Sequence, residues 1–274
     1  MVSKLLAALA KTPVAFAIAL CAVASAQATT APVDQLMSTI KSGANKLGEI
    51  SVVRQAALRE SATVFGAREG LRIQSCVIRD EVEKKVAELD KRYRFNELMM
   101  GQGVLPPVIS EGRNSVSLDA TVLRIATRVY HLDENARVVD VAPTWRDWVL
   151  VGLSGDACGP NPVDVPAHEQ MRPQTPAEEA FYRSVLARSY EMGVRQAKDV
   201  LAANLARLDR TYAGMRRYFE LFQRGMVSAP VIASSTDVVV RDDPNTLVVG
   251  NTVIRITVPV NFVEKNDLWR ALGE

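Results

Sequence analysis

Residues able to act as a nucleophile and a base are few in this 274-residue sequence, which contains two histidines and three cysteines. Cys158 lies ten residues before His168, in a stretch rich in proline and glycine. A thiolate beside an imidazole base is the chemistry of a cysteine hydrolase. No third group is indicated that would orient the imidazole, and His131 falls in a predicted strand where we expect it at the surface. We therefore expect no catalytic site, and a hydrolase using Cys158 and His168 is the alternative.

Sequence motifs for a nucleotide, a cofactor or a metal are missing. Residues 152–156 read GLSGD, in which glycine follows the serine directly, so they do not form a G-x-S-x-G nucleophile turn. We find no Walker loop, no dinucleotide-binding glycine pattern and no metal-type spacing of cysteine or histidine. Asp242-Asp243 precedes Pro244-Asn245 and predicts a turn, with a calcium contact there as the alternative. We expect neither a metal nor a cofactor.

The first 26 residues are typical of an export signal. Lys4 and Lys11 precede an apolar run too short to span a bilayer, and residues 24–26, ASA, match an A-x-A cleavage site. Cys21 ends the apolar run, where lipoproteins are acylated, but Leu20 is larger than the residue that such processing prefers. Two interpretations stay open, namely a lipidated Cys21 and a soluble export signal cut after Ala26.

Net charge limits which partners the exported chain can bind, and its cysteine content allows a disulfide. The signal holds two of the 33 basic residues and none of the 31 acidic ones, so the remainder is neutral. A neutral chain argues against direct binding of nucleic acid and has little electrostatic protection against association with other proteins. Export also permits a disulfide between Cys76 and Cys158, with two separate thiols as the alternative.

A repeated stretch shows how the chain is organised. Residues 97–109, ELMMGQGVLPPVI, recur 123 residues later at 220–232 as ELFQRGMVSAPVI, with six of thirteen positions identical. The repeated residues are mainly Leu, Val, Pro and Ile, which pack and do no chemistry, so the repeat is interpreted as architecture. Strand-like residues 123–132 align with 247–256, and Gly250-Asn251 predicts a tight hairpin turn.

Long helices precede both copies of the repeat. The first is predicted from residue 52 to about residue 100, and the second begins at Thr175 with a capping box and ends before Gly225. Apolar residues of both helices recur in steps of three and four. They are Ile78, Val82, Val86, Leu89 and Tyr93 in the first, and Leu201, Leu205, Leu208, Tyr212, Met215, Phe219 and Phe222 in the second.

These elements predict an α+β protein of two helix-plus-β-hairpin units packed through their long helices. The predicted segments are a signal peptide at 1–26, a tether and weak helix at 27–51, a first unit at 52–153, a proline- and glycine-rich loop at 154–174, and a second unit at 175–274. Further strands are expected within residues 136–153. No segment after the signal is long and apolar enough to span a bilayer.

Residues 143–148, PTWRDW, hold two of the three tryptophans. In a strand, Trp145 and Trp148 would face opposite sides, leaving one exposed as an interface anchor, with Arg146 and Asp147 between them. In a helical turn, both indoles would share one face and belong to the core. The sequence leaves the partner interface and the core interpretation open.

Five ordered strings make the sequence similar to a known family. The chain resembles the DotC family of type IVB secretion systems and the related conjugative-transfer lipoproteins of I-type plasmids, over about residues 55–262. The strings that carry the resemblance are FNELMMGQGVLPPVISEGRNSVSLD, APTWRDW, NLARLDRTYAGM, RGMVSAPVIAS and NTVIRIT.

This resemblance implies a non-enzymatic part of an outer-membrane core complex, present in several copies in a ring on the periplasmic face of the outer membrane. Family members act with a second lipoprotein of the DotD type to place a DotH-type channel subunit. Leu20 before Cys21 departs from the family's lipidation motif, which leaves the lipid anchor open. A periplasmic ligand-binding protein with a closed apolar pocket is a further alternative to the structural role.

Overall fold

A computed structural model describes residues 30–40, 50–118, 123–153, 158–159, 165–166, 168–243 and 245–264. The predicted α+β class is confirmed, and short 3-10 turns at Gly101–Gly103 and Glu169–Met171 supplement the main elements. Among the described residues no helix has the length and apolarity to cross a membrane. The helices and strands are α1 (Thr30–Ile40), α2 (Val52–Lys84), α3 (Val86–Arg92), α4 (Phe95–Leu98), β1 (Val104–Leu105), β2 (Val108–Leu118), β3 (Leu123–Glu134), β4 (Arg137–Val138), α5 (Arg146–Val149), α6 (Pro176–Gln223), β5 (Val231–Asp243) and β6 (Thr246–Val258).

The first predicted helix is broken into α2, α3 and α4 and is not continuous to residue 100. Tyr93 ends α3 with φ −110° and ψ 77°, outside the helical region. Tyr93 and Phe95 are nevertheless both buried. Residues two apart lie on different faces of a continuous helix, so burying both side chains together requires the break.

Helix α6 has the predicted boundaries and is capped at both ends. The Glu178 backbone N–H donates to the Thr175 hydroxyl at 3.2 Å, and the Glu178 carboxylate accepts from the Gln174 N–H at 2.7 Å. At the other end Gly225 has φ +72°, and its N–H donates to the Phe222 carbonyl at 2.9 Å. This left-handed residue is the glycine stop of a helix C-terminus.

The two hairpins share one register. Ile109 pairs with Leu132 in β2–β3, and Ile232 pairs with Ile256 in β5–β6. Each residue of the first pair therefore has its counterpart in the second pair about 123 residues later, which is the offset of the sequence repeat. An irregularity immediately precedes each isoleucine. A bulge at the same place in both hairpins shows that the repeat extends from sequence to backbone geometry.

Two sequence predictions about strands are wrong. The register of β5 with β6 pairs Asp243 with Thr246, so the chain reverses after Asp242-Asp243, where a turn was also predicted, and not at Gly250-Asn251. Gly250 adopts φ +73° inside β6, and Asn251 pairs with Asp237. Glycine tolerates this conformation at a turn or within a strand, so its identity does not locate the turn. Within residues 136–153 only the two-residue β4 is a strand, and α5 follows it.

Contacts divide the chain into two compact units that cut across the predicted sequence units. One consists of Met1–Gly70 with Gly159–Val194, and the other of Leu71–Cys158 with Arg195–Glu274. Helices α2 and α6 each contribute residues to both units, which is why a division at the 154–174 loop does not match the contacts.

In the unit containing residues 159–194, the backbones of α2 and α6 approach closely at two glycines. A Cβ added to Gly66 would lie 2.8 Å from the Leu186 carbonyl oxygen, and one added to Gly70 would lie 2.2 Å from the Tyr190 carbonyl oxygen. Because residue numbers rise together along both helices, the helices run in the same direction. Only residues without a side chain allow this contact.

An ion pair joins the first turns of the same two helices. The Arg54 guanidinium donates to both Glu178 carboxylate oxygens, at 2.9 Å and 3.1 Å, and to the backbone carbonyls of Gln170 and Arg172. Arg54 lowers the pKa of the Glu178 carboxyl group through this hydrogen bond, with a further contribution from the Gln174 backbone N–H. The pair thereby ties the segment before α6 to α2.

In the other unit, the predicted apolar seams meet in one core. Tyr93 donates its hydroxyl to the Asp209 carboxylate at 2.5 Å and packs edge-on against Tyr212. Burial raises the pKa of the Tyr93 hydroxyl, and its bond to Asp209 adds to the effect. The remaining buried seam residues of this core include Ile78, Val82, Leu89, Leu201, Leu208 and Met215.

Replacing Gly70 with alanine should lower the free energy of unfolding by about 1–3 kcal/mol, because the new methyl group displaces the Tyr190 backbone. Gly101→Ala is the matched control, since its Cβ would meet nothing within 4 Å. Denaturant unfolding of the two variants measures the difference. Equal stabilities would contradict the close helix approach.

Protonation of Glu178 should lower the stability of the protein as the pH falls. Its folded pKa lies below the ordinary value of 4.5, so the ion pair stabilises the protein above about pH 4.5 and that stabilisation is lost as the pH falls through the folded pKa. Glu178→Gln should be less stable than the wild type near neutral pH and should lose less stability on acidification. Glu191→Gln, at an exposed position of α6, is the control. Parallel pH profiles for wild type and Glu178→Gln would refute the assignment.

Candidate interaction surface

The tryptophan motif forms a helical turn whose indoles are buried. Trp145 and Trp148 are 1% and 8% exposed, which agrees with the core interpretation of the two that the sequence left open. Trp145 precedes α5, and its indole N–H donates to the Asp90 carboxylate at 2.6 Å. Trp148 stacks on Phe95 with ring centroids 4.9 Å apart. A helical turn places residues three apart on one face, so both rings reach the same core.

Arg146 and Asp147 are exposed but serve the same turn. The Arg146 guanidinium lies over the Trp145 ring at 4.2 Å from its centroid, a cation–π contact that shields the indole. The Asp147 carboxylate accepts from the Thr144 backbone N–H at 2.7 Å. The charge pair between the tryptophans therefore has an intrachain role, and the motif as a whole positions the segment after the first hairpin.

The predicted thiol–imidazole pair lacks its thiol. Cys158 forms a disulfide with Cys76, so the sulfur that the hydrolase alternative requires is already bonded. His168 is exposed and lies in the other compact unit. His131 is exposed in β3. The side chains of Asp242 and Asp243, and Cys21 with the whole export signal, lie outside the described residues.

Two clefts test the ligand-binding alternative. One of 370 Å³ is lined by residues that include Glu60, Arg68 and Phe65, and the other of 280 Å³ lies beside Trp145 and Arg94. Charged side chains line both clefts. Neither matches the closed apolar pocket that this alternative predicted.

Unpaired strand edges are the most accessible feature of the fold. In the part of the chain that the structure describes, every sheet has two strands: β1 with β4, β2 with β3, and β5 with β6. Among the described residues, no third strand pairs with the outer edges of the two long hairpins, although the Arg217 side chain donates to the Ile109 carbonyl of β2. Such edges are templates for pairing with another chain.

The base of the second hairpin exposes a valine whose counterpart in the first hairpin is buried. Val108 in β2 is 3% exposed, whereas Val231, its counterpart in the repeat, is 52% exposed and pairs with the 45% exposed Val258. Phe262, which bridges to Val227, is 42% exposed. We call Val231, Val258 and Phe262 the second-hairpin base. Sequence alone did not predict the difference at Val231, because both long hairpins begin with the same Val-Ile pair.

Comparison with known proteins gives one match. A family model described as "Type IV secretory system, conjugal DNA-protein transfer" (T4SS_TraI) matches residues 52–271. The matched range begins with α2 and contains both hairpins and both long helices. No curated protein matches the chain.

Truncating Trp148 should destabilise the protein and not merely a partner contact. Trp148→Ala removes a buried ring stacked on Phe95, and we expect a loss of about 3–5 kcal/mol in the free energy of unfolding. Val151→Ala, at a 53% exposed position of the next turn, should cost less than about 0.5 kcal/mol. Thermal unfolding of both variants measures the difference in stability. A Trp148→Ala protein of wild-type stability would return the residue to the interface interpretation.

Proposed function

The chain belongs to the T4SS_TraI family of type IV secretory systems for conjugal DNA–protein transfer, and from this we propose that it is a non-enzymatic structural subunit of the outer-membrane core complex of such a system. Its role is to bind neighbouring subunits and to help place and hold a DotH-type channel subunit. The activity is therefore binding, and the surfaces that perform it are strand edges carried on a helical framework.

The observation that carries this proposal is the pair of hairpins with open edges. Long two-stranded ribbons with unpaired backbone groups invite aggregation in a free monomer unless a partner covers them. Helices α2 and α6 already satisfy their own backbone hydrogen bonds and bury most of their apolar seams within the chain, although Phe222 of α6 is 43% exposed. The ribbons are thus the elements that support docking by strand addition.

Apolar side chains at the second-hairpin base supply contact area next to those edges. Val231 and Phe262 are about half exposed, and Val108, the counterpart of Val231 in the first hairpin, is buried. Aromatic and aliphatic residues of this kind are enriched at the centres of interfaces. A subunit used in several copies per ring would cover this patch in the assembled state.

Location and companions follow from the resemblance to the DotC family. We propose that the export signal brings the chain to the periplasmic face of the outer membrane, where it acts with a DotD-type lipoprotein. The mature protein begins either at a lipidated Cys21 or, after cleavage behind Ala26, at Gln27. Mass spectrometry of the mature N-terminus distinguishes them.

Deleting the gene tests the role. Without this chain, the DotH-type channel subunit should shift from the outer-membrane fraction to other envelope fractions, and transfer should fall to background. Re-expression of the wild-type chain should restore both. A channel subunit that stays in the outer membrane, together with normal transfer, would contradict the proposal.

His168→Ala separates this role from the hydrolase alternative. The residue is exposed, so the substitution should leave folding unchanged. Complementation by His168→Ala should restore transfer to wild-type frequency. A variant that folds, reaches the outer membrane and still fails in transfer would favour the hydrolase alternative.

A further inference from the structure

One face of the first hairpin carries a cluster of charge that the fold does not use fully. Arg113 and Arg128 are direct partners in the register of β2 and β3, and Glu111 with Tyr130 forms the pair two positions nearer the base. Alternation along strands puts these four side chains on one face. Arg217 reaches the same face from α6, where its guanidinium also donates to the Ile109 carbonyl at 3.0 Å. We call Arg113, Arg128, Arg217 and Glu111 the arginine cluster.

Glu111 only partly neutralises the three guanidinium groups. Its carboxylate oxygens lie 3.5 Å from Arg113, 3.7 Å from Arg128 and 3.5 Å from Arg217, which is beyond ordinary charge-assisted hydrogen bonding. One of these oxygens, Oε1, is buried and has no hydrogen-bond partner in the described part of the chain. Three positive charges therefore surround one negative charge, with donors left over.

Exposure separates the two strand arginines from the third. The side chains of Arg113 and Arg128 are 74% and 54% exposed, whereas that of Arg217 is 28% exposed and that of Glu111 is 12% exposed. The Tyr130 side chain raises the pKa of the Arg128 guanidinium. Arg217 and Glu111 thus form a fixed base, and the two strand arginines present their free N–H groups to solvent.

The second hairpin is an internal control for what the fold requires. At the positions equivalent to Arg113 and Arg128 it carries Thr236 and Thr252, whose hydroxyl groups hydrogen-bond each other at 3.2 Å. The same register is therefore built with a neutral pair. Two arginines directly opposite each other repel, so their presence costs stability that a threonine pair does not. A requirement of folding does not account for them.

We propose that the arginine cluster is a binding site for a carboxylate-rich peptide segment of a partner protein. Arg113 and Arg128 bind the incoming carboxylates through paired N–H groups, and Glu111 offsets the repulsion between the guanidinium groups while the site is empty. This goes beyond the proposed function, since it names a site and the chemistry of its ligand.

A peptide fits the cluster better than nucleic acid does. The arginines stand on a ribbon whose strand edges offer backbone hydrogen bonds to an extended peptide, a mode that DNA cannot use. The neutral exported chain likewise lacks the basic surface that DNA binding requires.

A binding experiment with the full exported chain tests the proposal. Fluorescence anisotropy would follow labelled oligoglutamate, with oligoglutamine and single-stranded DNA as comparison probes. We expect salt-sensitive binding of oligoglutamate that weakens about tenfold in the Arg113→Thr/Arg128→Thr double variant, which installs the threonine pair of the second hairpin. The control Arg137→Thr/Arg255→Thr removes the same charge from exposed strand positions and should stay within about twofold of wild type.

Glu111→Gln provides a test that does not depend on losing the arginines. Removing the resident charge should tighten oligoglutamate binding about threefold or more. Absence of oligoglutamate binding, equal weakening in both double variants, or an unchanged affinity in Glu111→Gln would each overturn the proposal. Tighter binding of DNA than of oligoglutamate through Arg113 and Arg128 would overturn it in favour of nucleic acid.

Discussion

Burial of the α6 apolar seam is the constraint on which the unit of Leu71–Cys158 and Arg195–Glu274 depends. The seam packs against the apolar stripe of α2 and α3 and brings Phe95 and Trp148 into the same core. Further along α6, Gly214 allows the base of β2 to approach, because a Cβ there would lie 2.5 Å from Val108. The helix therefore positions the first hairpin directly, and the orientation of its charged face follows from that contact.

Duplication followed by divergence explains how one architecture gives two different surfaces. The two hairpins share their register and the irregularity at their base, yet Val108 is buried where Val231 is exposed. An opposite pair of arginines in one hairpin is a pair of threonines in the other. The repeat preserves the backbone, and the changed side chains give each copy its own binding character. A scaffold that holds unlike neighbours needs such a difference.

The architecture was largely predictable from the sequence, because long helices are recognised by the spacing of their apolar residues and by their capping residues. The steps of three and four in α6, Thr175 at its start and Gly225 at its end are local signals, and all appear in the structure. The break at Tyr93 was missed, and of the two turns predicted for the second hairpin only the one after Asp242-Asp243 agrees with the register, which pairs Asp243 with Thr246. The break depends on burying the side chains of Tyr93 and Phe95 together. The position of the turn depends on the strand register, because both Pro244-Asn245 and Gly250-Asn251 are typical turn sequences.

The interaction surface was less predictable, because the exposure of a side chain depends on which other elements pack against it in the folded chain. The same Val-Ile pair begins both long hairpins, so the sequence offered no reason to expect Val231 to be exposed and Val108 to be buried. The tryptophans drew attention as an anchor although a helical turn buries both. Arg113 and Arg128 become a pair only in the register of β2 with β3, because fifteen residues separate them in sequence.

Site-specific photo-crosslinking in the living cell tests most directly whether the hairpins carry the binding. A photoreactive amino acid would replace exposed residues of the second hairpin, Ser235 in β5 and Thr252 in β6, and the exposed Met192 of α6 for comparison. The account predicts that both hairpin positions give crosslinks to other subunits of the secretion system and that Met192 gives few or none. Crosslinks confined to Met192, or none from either hairpin position while the system is assembled and active, would contradict it.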